Sequence, residues 1–449
     1  MRSVSFAFVL GAALAATPMS AQQRDPVRAV DSLFAQWSKP GSPGCAVGVI
    51  QDGRWIHQAG YGTADLSTGA PITPDTRFYM ASVSKQFAAA SIALAVKRGK
   101  LSLDDPMRKW IPEFPPYAQA ITVSHLIHHT SGVRDYLVLL SLNGHIGDVH
   151  PDGDVLQLIM RQAALDFAPG NEYSYSNSGY FLLSVILKRA TGQSLREFAQ
   201  QNMFGPLGMR NSYFYDDHTR PHPPGPLAMG YAPKEGGFEP ALYTNFEQVA
   251  DGGLYATLND LLAWDQNFYT PRVGDRAFLE LIQTPVKLND GRPLDYAFGL
   301  MVRDYGGLRT VVHSGGFMGY RTLIQRFPDQ HWSTVMLCNL STMSPETLGL
   351  RIADIYLAGA LDRAQADLAG DYWSEELRTG WRIESRGGKL MLIPEHGSPS
   401  ALASQGSGKY VYSGGLGPAT LTFIRDQETR ATGFTVDAGR ARGIRFLRR

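Results

Sequence analysis

The sequence predicts an α+β protein in two parts, a mixed region at residues 22–362 and a small all-β domain at residues 366–449. In the first part, strand-like runs stand near both ends and helical spacing dominates between them. From about Leu368 the pattern changes to short alternating segments separated by Gly-rich turns, which is typical of a small barrel or sandwich. A chain of 449 residues with 44% hydrophobic content is also long enough to bury more than one core.

The first 21 residues have the pattern of an export signal. Arg2 supplies the charged start, and Val4–Ala16 forms an apolar core that is too short to span a membrane. Met19-Ser20-Ala21 is suited to cleavage. We therefore expect a periplasmic or secreted protein whose mature chain begins near Gln22 and has no transmembrane segment.

A helix and a hairpin are predicted next. The apolar residues of Val27–Trp37 have helical spacing. Cys45–Ile50 and Arg54–Tyr61 are predicted strands, and Asp52-Gly53 between them is a hairpin signal.

The helix that follows Ser82 is the most informative element of the chain. From Ser84 to Val96 the residues are apolar or small on nearly every side, which predicts a helix buried all round. Ser82 and Lys85 are three residues apart, so their side chains lie on one face. Burial favours loss of the Lys proton, and a neutral amine beside a Ser hydroxyl can activate it as a nucleophile. As a four-letter pattern S-x-x-K is weak, because an exposed Ser and Lys on a helix produce it by chance.

Histidines and acids further along the chain are candidate metal ligands. In the short predicted helix Val123–His129, His125 and His128 have i, i+3 spacing, but neither H-E-x-x-H nor a Cys accompanies them. We therefore favour structural hydrogen bonding over zinc. The stretch at 143–154 is rich in Gly and Asp but lacks the spacing of a calcium loop, and it is predicted as solvated surface.

Helices and strands complete the first part. The predicted helices are Phe181–Thr191, one that starts at Ser194, Leu258–Phe268 and Ser344–Leu361. The predicted strands are Tyr296–Arg303, Leu308–His313, Tyr320–Arg326 and Trp332–Leu340. The long segment 213–245 is aromatic and rich in Pro and Gly, which is typical of a functional or a flexible loop.

Composition and missing motifs exclude several functions. Because the chain has 42 basic and 41 acidic residues and no basic run, it is a poor candidate for binding nucleic acid or anionic membranes. The absence of G-x-S-x-G, G-x-G-x-x-G and Walker sequences argues against an α/β-hydrolase and against nucleotide sites. We expect a small-molecule or peptide substrate, no cofactor and no metal. The oligomeric state stays open.

Three short stretches carry a family resemblance: Ser82-Val83-Ser84-Lys85, Tyr175-Ser176-Asn177 and His313-Ser314-Gly315-Gly316. With these boxes in this order, the chain resembles the penicillin-recognising serine hydrolases, which include class C β-lactamases, DD-peptidases, D-aminopeptidases and family VIII carboxylesterases. Tyr in the second box and His in the third resemble DD-peptidases and D-aminopeptidases more than class C β-lactamases, which keep K-T-G.

Supporting stretches extend the resemblance over about residues 27–362. They are His129-Thr130-Ser131-Gly132, Pro206-Leu207-Gly208-Met209 and Gly252-Gly253-Leu254-Tyr255. The resemblance implies a serine β-lactamase-like fold, with an antiparallel sheet flanked by helices and an all-helical lobe.

The resemblance also implies a role for the residues of the first two boxes. Ser82 is the nucleophile that attacks a carbonyl. Lys85 and Tyr175 share the proton transfer, and a Tyr held near cationic groups is expected to have a lowered pKa. Asn177 is expected to hold a substrate amide and to steady Lys85.

The third box is expected on a strand at the edge of the site. His313 faces the substrate carboxylate or assists proton transfer, and Ser314 and Gly315 border the substrate, with Gly315 permitting close approach of the strand. The N–H groups of Ser82 and Gly316 are expected to form the oxyanion hole.

These residues predict an exported serine hydrolase that forms an acyl-enzyme at Ser82 and acts on D-Ala-type peptides or β-lactams. Two alternatives stay open: a carboxylesterase for small acyl esters, and a non-catalytic penicillin-binding module. Residues 134–160 and 213–245 are expected to set the pocket shape that decides among substrates.

Cys45 and Cys338 are the two cysteines of the chain. In the fold that the resemblance implies, the first and last strands of the sheet are neighbours, so the start of one meets the end of the other. We therefore expect both residues on adjacent antiparallel strands. Export permits oxidation, but cross-strand geometry is often poor for a disulfide. Buried free thiols are the expected state, and the bond is left open.

Overall fold

The computed structural model describes residues 25–241, 246–386, 389–406, 408–414, 417–426 and 430–449. The predicted export signal at residues 1–21 lies outside these ranges. Within them, no helix combines the length and the apolar character needed to cross a membrane.

The strands of the first region are short, except those of its central sheet. In chain order they are β1 (Cys45–Gln51), β2 (Arg54–Tyr61), β3 (Thr63–Asp65), β4 (Ala70–Pro71), β5 (Phe78–Tyr79), β6 (Tyr213–Phe214), β7 (Tyr231–Lys234), β8 (Gly237–Pro240), β9 (Leu254–Ala256), β10 (Met301–Tyr305), β11 (Leu308–Phe317), β12 (Tyr320–Phe327) and β13 (Trp332–Cys338).

The main sheet has the order β10-β11-β12-β13-β1-β2, and each neighbouring pair is antiparallel. The predicted adjacency of the first and last long strands is confirmed, because Cys45 lies directly opposite Cys338. Their Cα atoms are 4.0 Å apart and their sulfurs form a disulfide, so the expectation of free thiols is wrong. Directly opposed residues project to the same face of a sheet, which brings the two side chains together.

Helices pack against strands of this sheet and against one another. They are α1 (Pro26–Phe34), α2 (Ser84–Lys97), α3 (Met107–Trp110), α4 (Val123–Ile127), α5 (Tyr136–Leu142), α6 (Asp152–Met160), α7 (Asn177–Thr191), α8 (Leu195–Ala199), α9 (Gly205–Leu207), α10 (Leu258–Asn267), α11 (Arg276–Ile282), α12 (Pro345–Tyr356) and α13 (Ala358–Ala366).

Helix α2 lies at the centre of the first region. Its residues from Ser84 to Ala95 are buried without exception, because α7, α8 and α11 pack around it. The prediction of a helix enclosed on all sides is therefore confirmed. A 3₁₀ turn at Ala81–Val83 leads into the helix and packs against β11 and β12, which joins the helical lobe to the sheet at Ser82.

Two predicted elements differ from the structure. The predicted strand Tyr296–Arg303 starts only at Met301, because the chain turns at Gly299 (φ +67°) and Ala297 N–H donates to the Leu300 carbonyl. The predicted helix Ser344–Leu361 is two helices, α12 and α13, which meet at the buried Leu357 (φ −104°, ψ 11°). The break turns α13 toward the C-terminal domain, which it contacts.

The C-terminal domain is a closed barrel. Its strands are β14 (Gly370–Ser374), β15 (Thr379–Arg386), β16 (Lys389–Pro394), β17 (Ser400–Gly406), β18 (Lys409–Gly414), β19 (Gly417–Arg425), β20 (Ala431–Ala438) and β21 (Ala441–Arg448). Consecutive strands pair, and β14 pairs with β21 to close the barrel. The predicted α+β class with an all-β C-terminal domain is confirmed, and of the two predicted forms the barrel is the one observed. β17 is composed of small and polar residues and carries no clear strand signal in the sequence.

Candidate active site

Ser82 lies in the 3₁₀ turn that leads into α2, where the backbone is strained. The preceding Ala81 has φ +46°, a left-handed conformation that is costly for a residue with a Cβ. The turn is anchored to the sheet, because Thr322 Oγ1 donates to the Met80 carbonyl at 2.7 Å. Lys85 follows one turn later and is fully buried, whereas Ser82 is half-buried and borders the cleft.

Lys85 Nζ has three oxygen partners. It lies 3.1 Å from Ser82 Oγ, 2.8 Å from Asn177 Oδ1 and 2.7 Å from the Asp251 carbonyl. The amide and carbonyl oxygens only accept hydrogen bonds, whereas a hydroxyl can also donate. When Lys85 is neutral it donates to the two acceptors, and its lone pair is left for the Ser82 hydroxyl. The arrangement permits proton transfer from Ser82 to Lys85.

Burial lowers the pKa of Lys85 and so favours its neutral form. Desolvation of the ammonium lowers the pKa of Lys85 to about 8, against the opposing influence of the Asp251 and Asp135 carboxylates. The predicted direction of the pKa shift is confirmed. A base whose pKa lies near the working pH combines an available lone pair with adequate basicity.

Asp135 sets the orientation of Asn177. Its Oδ2 accepts hydrogen bonds from the Asn177 backbone N–H at 2.6 Å and from Nδ2 at 2.9 Å, which turns Oδ1 of the amide toward Lys85. Its Oδ1 caps α5 by accepting from Val138 N–H at 3.1 Å. One carboxylate therefore joins the start of α5 to the start of α7 and steadies the Lys85 contact.

Tyr175 covers the Ser82–Lys85 pair. Lys85 Nζ lies 4.8 Å from the centre of the Tyr175 ring, and the phenol interacts with the Ser82 hydroxyl. The expectation of a lowered pKa is wrong, because burial outweighs the hydrogen bond to Ser82 and raises the pKa of Tyr175. The phenol is therefore neutral at ordinary pH and can donate a hydrogen bond through its O–H group.

His129 holds the segment that carries Tyr175. Its carbonyl accepts from Ser174 N–H at 2.9 Å, and its Nδ1 accepts from Ser176 N–H at 3.1 Å. The ring lies 4.2 Å from that of Tyr175, centre to centre. Burial keeps the pKa of His129 well below its usual value, so the ring is neutral and Nδ1 stays an acceptor. His129, like His125 and His128, hydrogen-bonds within the chain.

His313 lies in the site but carries no positive charge there. Its Nδ1 is 2.6 Å from the Ser314 carbonyl, which can only accept, so Nδ1 carries the hydrogen and Nε2 accepts from the Tyr296 hydroxyl at 3.1 Å. Burial lowers the pKa of His313 to about 3. The ring centre of His313 lies 6.4 Å from that of Tyr175, and a neutral imidazole offers no positive charge to a substrate carboxylate.

The rest of the third box divides between the two faces of β11. Gly315 faces the nucleophile: a Cβ there would lie 2.5 Å from the Met80 oxygen and 2.9 Å from the Ser82 nitrogen, so the close approach requires glycine. The side chain of Ser314 points to the opposite face and donates to Glu346 on α12. The structure therefore does not bring the Ser314 side chain into the site.

A narrow cleft of about 60 Å³ lies in front of Ser82. It is lined by Tyr79, Ala81, Ser82, Tyr136, Leu137, Asn177, Phe246, Gln248, Asp251, Gly252, Gly316 and Phe317. Ser82 and Gly316, the two residues expected to form the oxyanion hole, thus border the same space. A neighbouring aromatic cavity of about 300 Å³ shares Tyr79 and Phe246 with the cleft.

Two acids that support the site are not among the residues predicted from the sequence. Asp251 accepts from the Tyr136 hydroxyl at 2.9 Å, and its buried Oδ1 has no partner in the described part of the chain. Burial raises the pKa of Asp251 to about 6. Asp251 directly precedes the Gly252-Gly253 stretch, and Asp135 directly precedes an apolar run, so an N-cap pattern was the one signal that could have found Asp135.

Comparison with known sequences identifies relatives of the chain. A family model described as Beta-lactamase matches residues 30–357. A D-aminopeptidase of Gluconobacter oxydans (strain 621H) is 30% identical over 82% of this chain and 70% of its own length. Penicillin-binding protein 4* of Bacillus subtilis (strain 168) is 30% identical over 64% of this chain and 66% of its own length. The chain thus spans about two thirds of the length of these relatives.

Solved structures share the fold. The octameric penicillin-binding protein homologue from Pyrococcus abyssi has a TM-score of 0.65 at 23% identity and covers 94% of this chain and 100% of its own. The D-amino acid amidase from Ochrobactrum anthropi SV3, complexed with L-phenylalanine amide, has a TM-score of 0.58 at 23% identity and covers 70% of this chain and 91% of its own. The first similarity extends through the C-terminal domain, since it covers nearly the whole chain.

Proposed function

This chain belongs to the β-lactamase family of serine hydrolases, and from that premise we propose that it hydrolyses amides of D-amino acids through an acyl-enzyme at Ser82. The observation that carries the proposal is the set of contacts around Lys85 Nζ, which leaves Ser82 as the hydrogen-bond donor to a neutral amine. The family relationship supports the amide chemistry, because relatives at 30% identity are D-aminopeptidases.

In the proposed acylation, the proton that leaves Ser82 is passed on to the leaving amine. Ser82 Oγ attacks the carbonyl carbon while its proton moves to Lys85 Nζ. The carbon–nitrogen bond then breaks, and the leaving amine takes a proton from Lys85 through the Tyr175 hydroxyl, which the raised pKa keeps protonated. A water molecule later attacks the ester by the reverse proton path and releases the acid and free Ser82. The N–H groups of Ser82 and Gly316 are proposed to hold the carbonyl oxygen.

The charge of the cleft favours a substrate with a free amino group. Among the described lining residues, Asp251 is the one with a carboxylate, and none is Lys or Arg. His313 is neutral, because burial lowers its pKa to about 3. β-Lactams and D-Ala-D-Ala peptides carry a carboxylate for which these lining residues offer no cation, and the neighbouring Lys85 is the proposed neutral base. An α-ammonium, by contrast, would be attracted to Asp251.

The aromatic cavity beside the cleft suits an apolar substrate side chain. Tyr215, His222 and Leu227 from the 213–245 segment line it together with Tyr79 and Tyr255. We propose that this segment, together with Tyr136 and Leu137 at the cleft, selects the substrate.

The test is a comparison of kcat/KM for five substrates on the intact chain and its Ser82→Ala variant. The substrates are D-alanine p-nitroanilide, its N-acetyl derivative, a D-Ala-D-Ala peptide, nitrocefin and p-nitrophenyl acetate. We expect the free amine to be preferred over the acetylated form and Ser82→Ala to abolish each reaction. Unchanged rates in the variant would refute the nucleophile assignment.

The same comparison decides between the alternatives. Preference for p-nitrophenyl acetate over D-alanine p-nitroanilide and its N-acetyl derivative would favour a carboxylesterase. Stoichiometric labelling of Ser82 by a fluorophosphonate is expected, and its absence in a folded protein would favour a non-catalytic binding module. We also propose export of the protein to an oxidising compartment, which the Cys45–Cys338 disulfide supports because such bonds persist mainly outside the reducing cytosol.

A further inference from the structure

A separate cavity, of about 340 Å³, lies at the far end of the sheet from Ser82. Its lining includes Arg309 from β11, Arg326 from β12 and Arg276 from α11, and it shares no residue with the cleft. Arg326 is four residues along β12 from Thr322, which anchors the nucleophile turn, so the two sites are roughly 13 Å apart along the strand.

Arg326 is a buried cation with few partners. It is 1% exposed, and its guanidinium lies 3.4 Å from the centre of the Phe268 ring. Among the described residues its one hydrogen bond is to Gln283 Oε1, at the limiting distance of 3.5 Å. A guanidinium has five N–H donors, and stacking on a ring leaves its N–H edge free to bind in the plane.

The carboxylate that acts electrostatically on Arg326 is hydrogen-bonded to other residues. Asp265 lies close enough to raise the pKa of Arg326 against the stronger effect of burial. However, its Oδ1 accepts from Ser333 Oγ at 2.6 Å and its Oδ2 accepts from Gln266 Nε2 at 2.7 Å. In the described part of the chain no carboxylate oxygen comes within ion-pair distance of Arg326.

Two exposed arginines stand at the rim of the cavity. Neither Arg276 nor Arg309 forms an ion pair with a described residue, and the one acid among the described lining residues is the exposed Glu280. Three cations thus face one carboxylate across a space that also has apolar walls, from Phe268 and Leu279. Burying a guanidinium whose N–H donors lack close acceptors is costly, and an anion placed against those donors would offset that cost.

We propose that this cavity binds a small organic anion, with its carboxylate or phosphate group against Arg326. The rim arginines attract the anion, and the buried guanidinium binds two of its oxygens side by side. The volume exceeds that of a single ion, so an apolar portion of the ligand has room against Phe268 and Leu279. The proposal is independent of the reaction at Ser82.

Isothermal titration of the intact chain with inorganic phosphate and, separately, with succinate tests the proposal and distinguishes the two anion types. We expect saturable binding of at least one of them. The double variant Arg276→Gln/Arg309→Gln should weaken it about tenfold, and Arg326→Met should abolish it, since charge-assisted hydrogen bonds are lost. Arg272→Gln, an exposed arginine outside the cavity, and Ser82→Ala should both bind as the wild type does.

Failure of both anions to bind saturably would overturn the proposal. Equal affinity in the rim double variant and the Arg272→Gln control would overturn it too, because the binding would then lie elsewhere. If Arg326→Met does not fold, as judged by its thermal transition, the double variant alone decides, since both of its positions are exposed.

Discussion

Lowering the pH is expected to slow acylation of Ser82, because the proposed base is the neutral form of Lys85. Burial lowers the pKa of Lys85 to about 8. A base works when deprotonated, so the acylation rate should rise with pH through this value and level off above it. Two pH units below its pKa, about 1% of a group is neutral, so the rate near pH 6 should be about one hundredth of the plateau.

Two variants sharpen the interpretation. Lys85→Arg should lose the pH-dependent rise and about 10²–10⁴-fold of the rate, because a guanidinium does not deprotonate in this range. Asp251→Asn should move the rise to lower pH, since the Asp251 carboxylate is one of the groups that raise the pKa of Lys85. The thermal transition of each variant is measured as well, so that a loss of stability is not mistaken for a change in the base.

The assay must isolate acylation from deacylation. Stopped-flow labelling of Ser82 by a fluorescent fluorophosphonate, followed from about pH 6 to pH 9, reports the first step alone. A rate that is constant over this range, or that increases as the pH falls, would refute the assignment of neutral Lys85 as the base.

Three further perturbations test other parts of the structure. Asp135→Asn should reduce the free energy of unfolding by about 1–3 kcal/mol and lower kcat, because only one end of an amide can accept hydrogen bonds. Urea titration measures the change in stability, and unchanged stability would contradict the proposed link between α5 and α7 through Asp135. Replacing Cys45 and Cys338 together by Ser should cost about 2–4 kcal/mol while labelling of Ser82 persists; a variant as stable as the oxidised wild type would show that the bond does not stabilise the fold. A chain that ends at Ala366 should still be labelled at Ser82, since no barrel residue lines the described cleft, and a folded truncation without labelling would assign the barrel a part in the site.

Much of the candidate site was predictable because its residues occur in short local patterns. S-x-x-K places Ser82 and Lys85 on one face of a helix whatever surrounds them, and the apolar run after Ser84 predicts burial, hence a lowered pKa for Lys85. The order of the three motifs along the chain was recognised through the family resemblance, because the spacing within a single motif does not reveal it.

The supporting acids were not predictable in this way. Asp135 lies 42 residues from Asn177 in the chain, and the Asp251 carbonyl lies 166 residues from Lys85. A single sequence carries no signal for contacts of such separation, because they depend on how the helical lobe closes on the sheet.

The sequence by itself determined the α+β class, the buried central helix, the boxes and the change to an all-β domain, because these follow from local periodicity and short motifs. Only the tertiary structure decided the ionisation of Tyr175 and His313, the facing of Ser314 away from the site, and the disulfide between Cys45 and Cys338. The physical reason is that a pKa depends on the solvent and charge that surround a group on every side, and a disulfide depends on register across strands far apart in the chain. Both are properties of the packed molecule.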